Sequence, residues 1–349
     1  MRRSLMVAFA LLAACSNSTV PNTTAMLTTT TTAAATTTSR VISTTTSAVV
    51  LPTSPINGMP VADETLLDRR LLAVKIDNHA NARPQSGLDA AAAVIELPVE
   101  GITRFIALFH DTDSTYLGPV RSGRPSDGKL LNPLGATFAI SGGQSWVLQQ
   151  IRNEGVSLIS DSRPGMFRIS GRRAPHNLYA DTLQLREVAD DREFPDDPPP
   201  PLFQFGPLPT TAAPATEVVM SFGGSFVVTW TWDPTSKTYV RSFGGSEAEL
   251  MDQEGERYPL TAQTLVVMLA ERYTERPPSG SGSAVPAMDT VGSGEAFVFA
   301  GGKMTSGSWA RESSDDLIAF SNEDGSPLLV PPGFIWVSVV PVQSGIDVS

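Results

Sequence analysis

The segment Lys75–Gly87, KIDNHANARPQSG, places three groups that can do acid–base or anion chemistry within seven residues. Asp77 can accept hydrogen bonds, His79 can exchange a proton near neutral pH, and Arg83 can bind a carboxylate or phosphate through two parallel hydrogen bonds. The segment follows an apolar run, so these side chains are predicted to stand where a buried strand ends. Asp77 and Asn78 could equally do no more than close a turn.

Three later segments, EGITRF, LGPVRSGRP and APHNLY, add one carboxylate, three guanidinium groups, an imidazole and an amide. Guanidinium groups in loops and at strand ends are free to converge on one carboxylate or phosphate. If the four segments meet in space, they form one ligand site. The predicted ligand-binding residues are Asp77, His79, Arg83, Gln85, Glu96, Glu100, Arg104, Arg121, Arg124, His176 and Asn177.

These residues allow two kinds of chemistry. A binding site needs only the arginines, the amides and backbone N–H groups of loops. A catalytic site would use His79, Glu100 or His176 as the general base, with arginines stabilising an oxyanion or a phosphoryl group. Each histidine could instead be structural, since imidazole often satisfies backbone groups beside proline. The sequence leaves these alternatives open and assigns no catalytic residue.

Several signatures of known chemistry are missing from the sequence. There is no HExxH motif, no histidine pair at helical spacing and no cysteine besides Cys15, so no metal site is predicted. Neither a nucleophile elbow nor a P-loop is satisfied by the glycine-rich stretches. We therefore predict no cofactor and assign no enzyme class.

The four motifs IDNHANARPQSG, EGITRF, LGPVRSGRP and APHNLY follow the order and spacing of the YerB-like bacterial lipoproteins. The stretches GSGEAFVFAGGKMTSGSWAR and PPGFIWVSVVP resemble the C-terminal part of the same family, whose body is domain-of-unknown-function family 3048. The resemblance covers the chain from about residue 72 to 341. It implies a surface-anchored lipoprotein with a two-domain body, and it brings no established reaction.

The elements that must position the motifs alternate between strand and helix in the first half. LLAVKID predicts a buried strand, SWVLQQIRNEG a helix ended by Gly155, and Asp181 the N-cap of another helix. The alanines after Ser86 favour a short helix. On an extended chain Glu96 and Glu100 would share one face. Residues 65–192 are thus predicted to form a layered α/β domain with a mixed sheet.

The second half differs from the first in its residue composition and pattern. Residues 193–215 are rich in proline and predict an extended connector, which marks a domain boundary. Residues 216–349 hold alternating aromatic and β-branched residues separated by hairpin turns, which predict a mostly antiparallel β domain. The predicted fold class is therefore α+β with two domains.

The N-terminal end predicts export and lipidation. Residues 1–14 combine a short basic start with an apolar run, which is the layout of a secretory signal. Cys15, the chain's only cysteine, completes a lipobox, so cleavage before it and lipid on its sulfur are expected. The alternative is a generic secretory signal with a chance cysteine. Residues 15–64, rich in threonine and alanine, predict a disordered tether. The predicted location is the extracytoplasmic face of a bacterial cell membrane.

The charge distribution bears on the partner. Residues 69–173 hold 13 basic and 9 acidic residues, although the whole chain has a net charge of −11. An arginine-rich half in an acidic chain points to an anionic ligand, unless its arginines simply pair with nearby carboxylates. Nucleic acid is not predicted as a partner of an exported, net-acidic protein.

Three functions remain open at this stage. The first is a tethered module that binds an anionic envelope component, such as a peptide carboxylate or a phosphorylated polymer. The second is an envelope hydrolase or transferase that uses His79, Glu100 and His176. The third is a scaffold lipoprotein whose arginines are structural.

Overall fold

The computed structural model describes residues 51–160, 163–278, 280 and 282–349. The predicted signal sequence, Cys15 and the tether up to residue 50 lie outside the described residues. Within the described ranges, no helix combines the length and the apolar character needed to cross a membrane.

The first half alternates short strands with helices. Its strands are β1 (Leu72–Asp77), β2 (Ala93–Pro98), β3 (Thr103–Phe109), β4 (Thr137–Ile140), β5 (Ser157–Ser160), β6 (Met166–Arg168) and β7 (Leu178–Ala180). The α-helices described in this half are α1 (Pro125–Leu131), α2 (Ser145–Asn153) and α3 (Thr182–Asp191). Single 3₁₀ turns cover Glu64–Leu67, Ala80–Ala82, Leu88–Ala90 and Asn132–Leu134.

The second half is built from strands. The first eight are β8 (Ala213–Pro214), β9 (Glu217–Ser221), β10 (Val227–Asp233), β11 (Thr238–Phe243), β12 (Ser246–Glu247), β13 (Glu249–Met251), β14 (Arg257–Pro259) and β15 (Thr261–Ala262). The others are β16 (Thr264–Ala270), β17 (Arg272–Glu275), β18 (Val285–Met288), β19 (Gly292–Ala300), β20 (Lys303–Arg311), β21 (Ala319–Ser321), β22 (Ile335–Pro341) and β23 (Ile346–Val348).

One large mixed sheet organises the body. Its strands follow the order β21-β20-β19-β16-β22-β2-β3-β1-β4-β5, and β8 pairs with β20. Strands β1, β4 and β5 run parallel, whereas β3 lies between β1 and β2 and is antiparallel to both. A second, antiparallel sheet has the order β12-β11-β10-β9-β23, with β15 beside β11. The predicted fold class, a mixed sheet followed by mostly antiparallel β structure, is confirmed.

The two halves share this large sheet. Strand β22, near the end of the chain, lies parallel to both β2 and β16 and thereby joins strands of the first half to strands of the second. Backbone hydrogen bonds therefore tie the halves together far more closely than an extended connector would alone.

Both faces of the large sheet are buried, and different elements cover them. Along β1, Ala73 faces the apolar cluster that contains Leu131 of α1 and Ile151 of α2, and we call this side the α1 face. Val74 faces the cluster that contains Trp230 of β10, and we call this side the second-sheet face. Because side chains alternate along a strand, Lys75 and Asp77 share the α1 face with Ala73.

The predicted tether extends too far along the chain. Residues 51–64 were expected to be disordered, but Ser54 and Ile56 are fully buried, and the Ser54 hydroxyl donates to Asp111 at 2.6 Å. The prediction was wrong here because a few apolar side chains such as Ile56 are enough to dock a segment that otherwise looks like the tract before it. The proline-rich segment 193–215 also packs, since Phe203 is buried in the α1-face cluster.

The predicted helices are confirmed except for one. Helix α2 stops at Asn153, just before Gly155, and Asp181 caps α3 by accepting from the backbone N–H of Leu183 at 2.9 Å. The alanines after Ser86 form only one 3₁₀ turn and then enter β2. Strand pairing in the sheet centre overrides the helical preference of alanine, because small side chains suit a buried strand with both faces covered.

His110 is fully buried at the end of β3, and neither ring nitrogen has a hydrogen-bond partner among the described residues. Burial lowers its pKa, and the positive charges of Arg186 and Arg69 act in the same direction, whereas Asp111 opposes them. As the pH falls, His110 is therefore protonated at a higher pH in the unfolded chain than in the folded chain. We expect the free energy of unfolding to fall as the pH drops below about 6.5, by at most about 1.4 kcal/mol per pH unit.

Denaturant unfolding of the wild type and of His110→Gln, measured between pH 5 and pH 8, checks this expectation. The variant should show a shallower loss on the acidic side. An unchanged pH profile in the variant would show that His110 does not cause the loss.

Candidate functional site

The segment Leu117–Arg121 brings three predicted motifs together. The N–H of Asp77 donates to the carbonyl of Pro119 at 2.8 Å, and the N–H of Arg121 donates to the carbonyl of Lys75 at 2.8 Å. The other edge of the segment pairs with β7, where the N–H of Val120 donates to Leu178. The segment thus sets Arg121 beside Asp77 and holds β7, with the His176 that precedes it, against the same strand end.

Asp77 is the centre of the resulting polar cluster. Its side chain is 1% exposed, and Oδ2 lies 2.8 Å from Nδ1 of His176 and 3.2 Å from Nε of Arg121. The other oxygen, Oδ1, accepts from the backbone N–H of His79 at 3.0 Å. Arg104 stands directly opposite Asp77 in the β1–β3 pair. A buried carboxylate therefore fixes an imidazole and a guanidinium group at one strand end.

The two predicted histidines stack on each other. The ring centroids of His79 and His176 are 4.6 Å apart with an angle of 15° between the planes. Nδ1 of His79 accepts from the N–H of Asn81 at 3.1 Å, so that nitrogen carries no proton. Nδ1 of His176 faces the Asp77 carboxylate, so in the neutral form of the ring the proton lies on Nδ1. Nε2 of His176 is then a lone-pair nitrogen held in a fixed direction.

Glu100 joins two further arginines to this region. Its carboxylate accepts from Nε of Arg124 at 2.7 Å and lies 3.7 Å from Nη2 of Arg104. Burial alone would raise the pKa of Glu100, but the hydrogen bond and charge of Arg124 hold it below its usual range. Burial and Arg124 also lower the pKa of Arg104 to about 10, so Arg104 stays charged at neutral pH. We call Asp77, Glu100, Arg104, Arg121, Arg124 and His176 the guanidinium cluster.

The guanidinium cluster keeps donor groups without acceptors. The buried Nε of Arg104 and the buried Nε of Arg121 have no hydrogen-bond partner among the described residues. Arg121 Nε lies within ion-pair distance of Asp77, but its N–H does not point at the carboxylate in hydrogen-bond geometry. Arg104 is held in place by a bond from Nη1 to the carbonyl of Ser122 at 2.9 Å. An unmet donor on a buried cation is costly unless something accepts from it.

A buried ion pair between β1 and α1 lies next to the guanidinium cluster. Lys75 of β1 is fully buried, and its Nζ lies 2.6 Å from Oδ1 of Asp127 in α1. Oδ2 of Asp127 accepts from the backbone N–H of Arg124 at 2.7 Å, which fixes the start of α1. Burial lowers the pKa of Lys75 to about 8, although Asp127 acts in the opposite direction. Lys75 therefore positions Arg124 through Asp127.

Besides His79, four predicted site residues do not belong to this cluster. Glu96 and Arg83 lie on the second-sheet face of the large sheet. Gln85 donates to the carbonyl of Asp77 and to Oδ1 of Asn78, both at 3.0 Å. Asn177 contacts the hairpin of β6 and β7, where Arg168 donates to its Oδ1 at 2.9 Å. The expectation that Glu96 and Glu100 share one face was wrong, because β2 ends at Pro98 and the chain turns before Glu100.

Glu96 is the acceptor of a fully buried network. Its two oxygens accept from Nη2 and Nη1 of Arg241 at 2.6 and 2.7 Å, from Trp336 Nε1 at 2.9 Å and from the Thr103 hydroxyl at 2.6 Å. Thr103 belongs to β3, Arg241 to β11 and Trp336 to β22, so this one carboxylate of β2 joins four strands from both halves. Its role is structural, because the carboxylate is completely enclosed.

Lys75, Asp127 and Arg241 are important residues that sequence reasoning missed. A signal existed for two of them. Lys75 interrupts the apolar run LLAVKID, and Arg241 stands in TYVRSF at the position where alternation predicts an inward side chain. A charged residue at an apolar position predicts a buried partner, but the sequence does not show which one.

Metal binding finds no ready donor set in the described part of the chain. Within it, no group of three or more histidine, cysteine, aspartate or glutamate side chains is placed to hold a metal ion.

Comparisons with known proteins agree on one family. The profile described as "Protein of unknown function (DUF3048) N-terminal domain" matches residues 56–195, and the C-terminal domain of the same description matches residues 217–337. A Bacillus subtilis (strain 168) protein named "Putative lipoprotein YerB" is 27% identical over 308 residues, covering 85% of this chain and 88% of that protein. The crystal structure of YerB from B. subtilis matches with a TM-score of 0.72 and 25% identity, covering 85% of this chain and 99% of that one.

Proposed function

Because the chain belongs to the DUF3048 family of unknown function, we propose its role from its own geometry: binding of an anionic cell-envelope ligand at the guanidinium cluster. The observation that carries the proposal is the pair of buried Nε donors on Arg104 and Arg121 that have no acceptor within the described ranges. A carboxylate or phosphate oxygen would accept from these donors and offset their burial.

The charge balance of the cluster supports an anion. Three arginines, Arg104, Arg121 and Arg124, face two carboxylates, Asp77 and Glu100, which leaves one positive charge before His176 is counted. The planar guanidinium group holds its N–H donors in a fixed geometry. It therefore orients a bound oxyanion as well as attracting it by charge. The ligand classes that fit are a peptide carboxylate and a phosphorylated polymer.

The relative named a lipoprotein supports attachment to a membrane. In this proposal Cys15 carries the lipid, residues 15 to about 50 form the tether, and the body faces the extracytoplasmic side of the membrane. Several acyl chains would supply the more than one anchoring signal that stable attachment needs. The body would then meet its ligand in the envelope rather than in the cytoplasm.

Hydrolysis or group transfer is the second candidate. The specific observation in its favour is the contact of 2.8 Å between the buried Asp77 carboxylate and His176, which orients a base as catalytic dyads do. No hydroxyl group of the described residues hydrogen-bonds to His176, so the nucleophile in such a reaction would be water. Binding needs only the arginine donors, whereas catalysis would also need a positioned water molecule. Binding is therefore the first candidate.

The binding proposal predicts a loss of affinity when a donor is removed. We expect Arg104→Gln and Arg121→Gln each to weaken the binding of inorganic phosphate or acetate to the full-length protein in detergent at least about tenfold. The reason is that a hydrogen bond to a charged group contributes about 1.5–3 kcal/mol. Isothermal titration calorimetry measures the affinities, and thermal unfolding of each variant shows whether it is folded.

Arg152→Gln is the matched control, because Arg152 is an exposed arginine on α2 and is not a member of the guanidinium cluster. It should bind both anions as the wild type does. Equal weakening in all three variants would mean that general surface charge, not the guanidinium cluster, attracts the anion. Release of products from cell-wall extract that disappears in His176→Ala would instead favour the hydrolase or transferase.

A further inference from the structure

A cavity of about 310 Å³ lies on the second-sheet face, between the loop that follows β1 and the region of β11 to β14. Its size falls in the range of small-ligand pockets. The guanidinium cluster contributes no residue to it. We propose that this cavity is a second binding site, and that it takes a small zwitterion, namely an amino acid or a short peptide.

Arg83 supplies the positive side of the site. Its Nε donates to Oδ1 of Asn78 at 2.9 Å and its Nη2 donates to the carbonyl of Asn78 at 2.8 Å. Its guanidinium carbon lies 4.1 Å from the ring centroid of Phe243. These contacts use two of the five N–H donors of the guanidinium group, so about three remain. Arg83 is thus held rigidly with donors to spare.

No carboxylate among the described residues forms an ion pair with Arg83. The other two arginines that line the cavity have ion-pair partners. Arg241 pairs with Glu96 at 2.6 Å, and Arg257 pairs with Glu249 at 3.1 Å. Burial lowers the pKa of Arg83, and the charge of Arg241 acts in the same direction, yet a guanidinium group stays charged in proteins. A partly buried cation without a counter-ion is a ready partner for a carboxylate.

Glu247 supplies the negative side. It lines the same cavity in β12, and no ion pair to it exists within the part of the chain described. Counting the buried Glu96 behind the wall, the three arginines are opposed by three glutamates. A surface with balanced charges gains little from a polyanion such as phosphate, but it can hold a ligand that carries one charge of each sign. The carboxylate would bind Arg83 and the ammonium group would bind Glu247.

Apolar side chains complete the site. Phe105, Phe243 and Leu260 line the cavity beside the charged groups. Such surfaces can contact the carbon atoms of an amino acid or dipeptide while the two charged ends are held apart. This inference does not depend on the proposed anion binding, because the two sites lie on different faces of the large sheet and share no residue.

The test uses the full-length protein in detergent and calorimetric titration with a panel of alanyl dipeptides. At least one dipeptide should bind, and Arg83→Gln should weaken that binding about tenfold or more, which corresponds to about 1.4 kcal/mol. Acetylating the dipeptide amine or amidating its carboxylate should weaken binding to a similar degree. Inorganic phosphate should not compete.

Two matched variants separate this site from the guanidinium cluster. Glu247→Gln should weaken dipeptide binding, and Arg104→Gln should leave it unchanged. The proposal is overturned if no dipeptide binds the folded wild type, if binding survives Arg83→Gln, or if phosphate displaces the dipeptide. A thermal unfolding midpoint of Arg83→Gln close to that of the wild type confirms that lost binding does not reflect lost folding.

Discussion

Replacing Arg241 with methionine is expected to lower the free energy of unfolding by about 3–5 kcal/mol. The guanidinium group neutralises Glu96 through two hydrogen bonds of 2.6 and 2.7 Å, and both side chains are buried. Without it, the Glu96 carboxylate would remain enclosed with a full charge and only the Trp336 and Thr103 donors. The midpoint and slope of urea unfolding measure the loss.

Two variants make this expectation specific. Arg257→Met removes an exposed pair with Glu249 and should cost less than about 1 kcal/mol. The double variant Glu96→Gln with Arg241→Met should be more stable than Arg241→Met alone, since no buried charge is left unpaired. A loss for Arg241→Met no larger than that for Arg257→Met would contradict the structural role of this network.

Replacing Lys75 with methionine is expected to cost a similar amount, about 3–5 kcal/mol. Lys75 is fully buried and its Nζ lies 2.6 Å from the Asp127 carboxylate, which is 1% exposed. Methionine keeps most of the side-chain volume, so the loss would come from the unpaired charge on Asp127. Urea unfolding again measures it.

The effect of Lys75 should also reach the guanidinium cluster. Because Asp127 accepts from the N–H of Arg124, Lys75→Met should weaken anion binding as well as stability. Adding Asp127→Asn to Lys75→Met should restore part of the stability by removing the charge. Lys129→Met is the control and should cost about 1 kcal/mol, since Lys129 donates, among the described residues, to the neutral Tyr273 hydroxyl. Equal losses in Lys75→Met and Lys129→Met would contradict the buried-pair account.

Local patterns in the sequence predicted several elements well. The apolar run before Asp77 is a buried strand, and the Asp181 side chain caps α3. Both depend on nearest neighbours along the chain, such as strand alternation and the hydrogen bond of a cap to the first helical turn. The alanines after Ser86 misled because their environment is set by distant strands.

The shape of the site could be predicted only in part. The sequence supplied the residues, but Asp77 and His176 meet because the Leu117–Arg121 segment pairs with β1 on one side and β7 on the other. Glu96 faces the second sheet because it shares one side of β2 with Val94, and Arg83 lies on that face because the chain turns after β1. Arg241 completes the Glu96 network from 145 positions along the chain, a pairing that no local pattern specifies.

The most direct test of anion binding locates the anion itself. Crystals of the protein grown with selenate should show an anomalous selenium peak within about 4 Å of the guanidinium groups of Arg104 and Arg121, the distance of an ion pair. A peak only at other places, with Arg104 and Arg121 hydrogen-bonded through Nε to protein carboxylates instead, would contradict the proposed function.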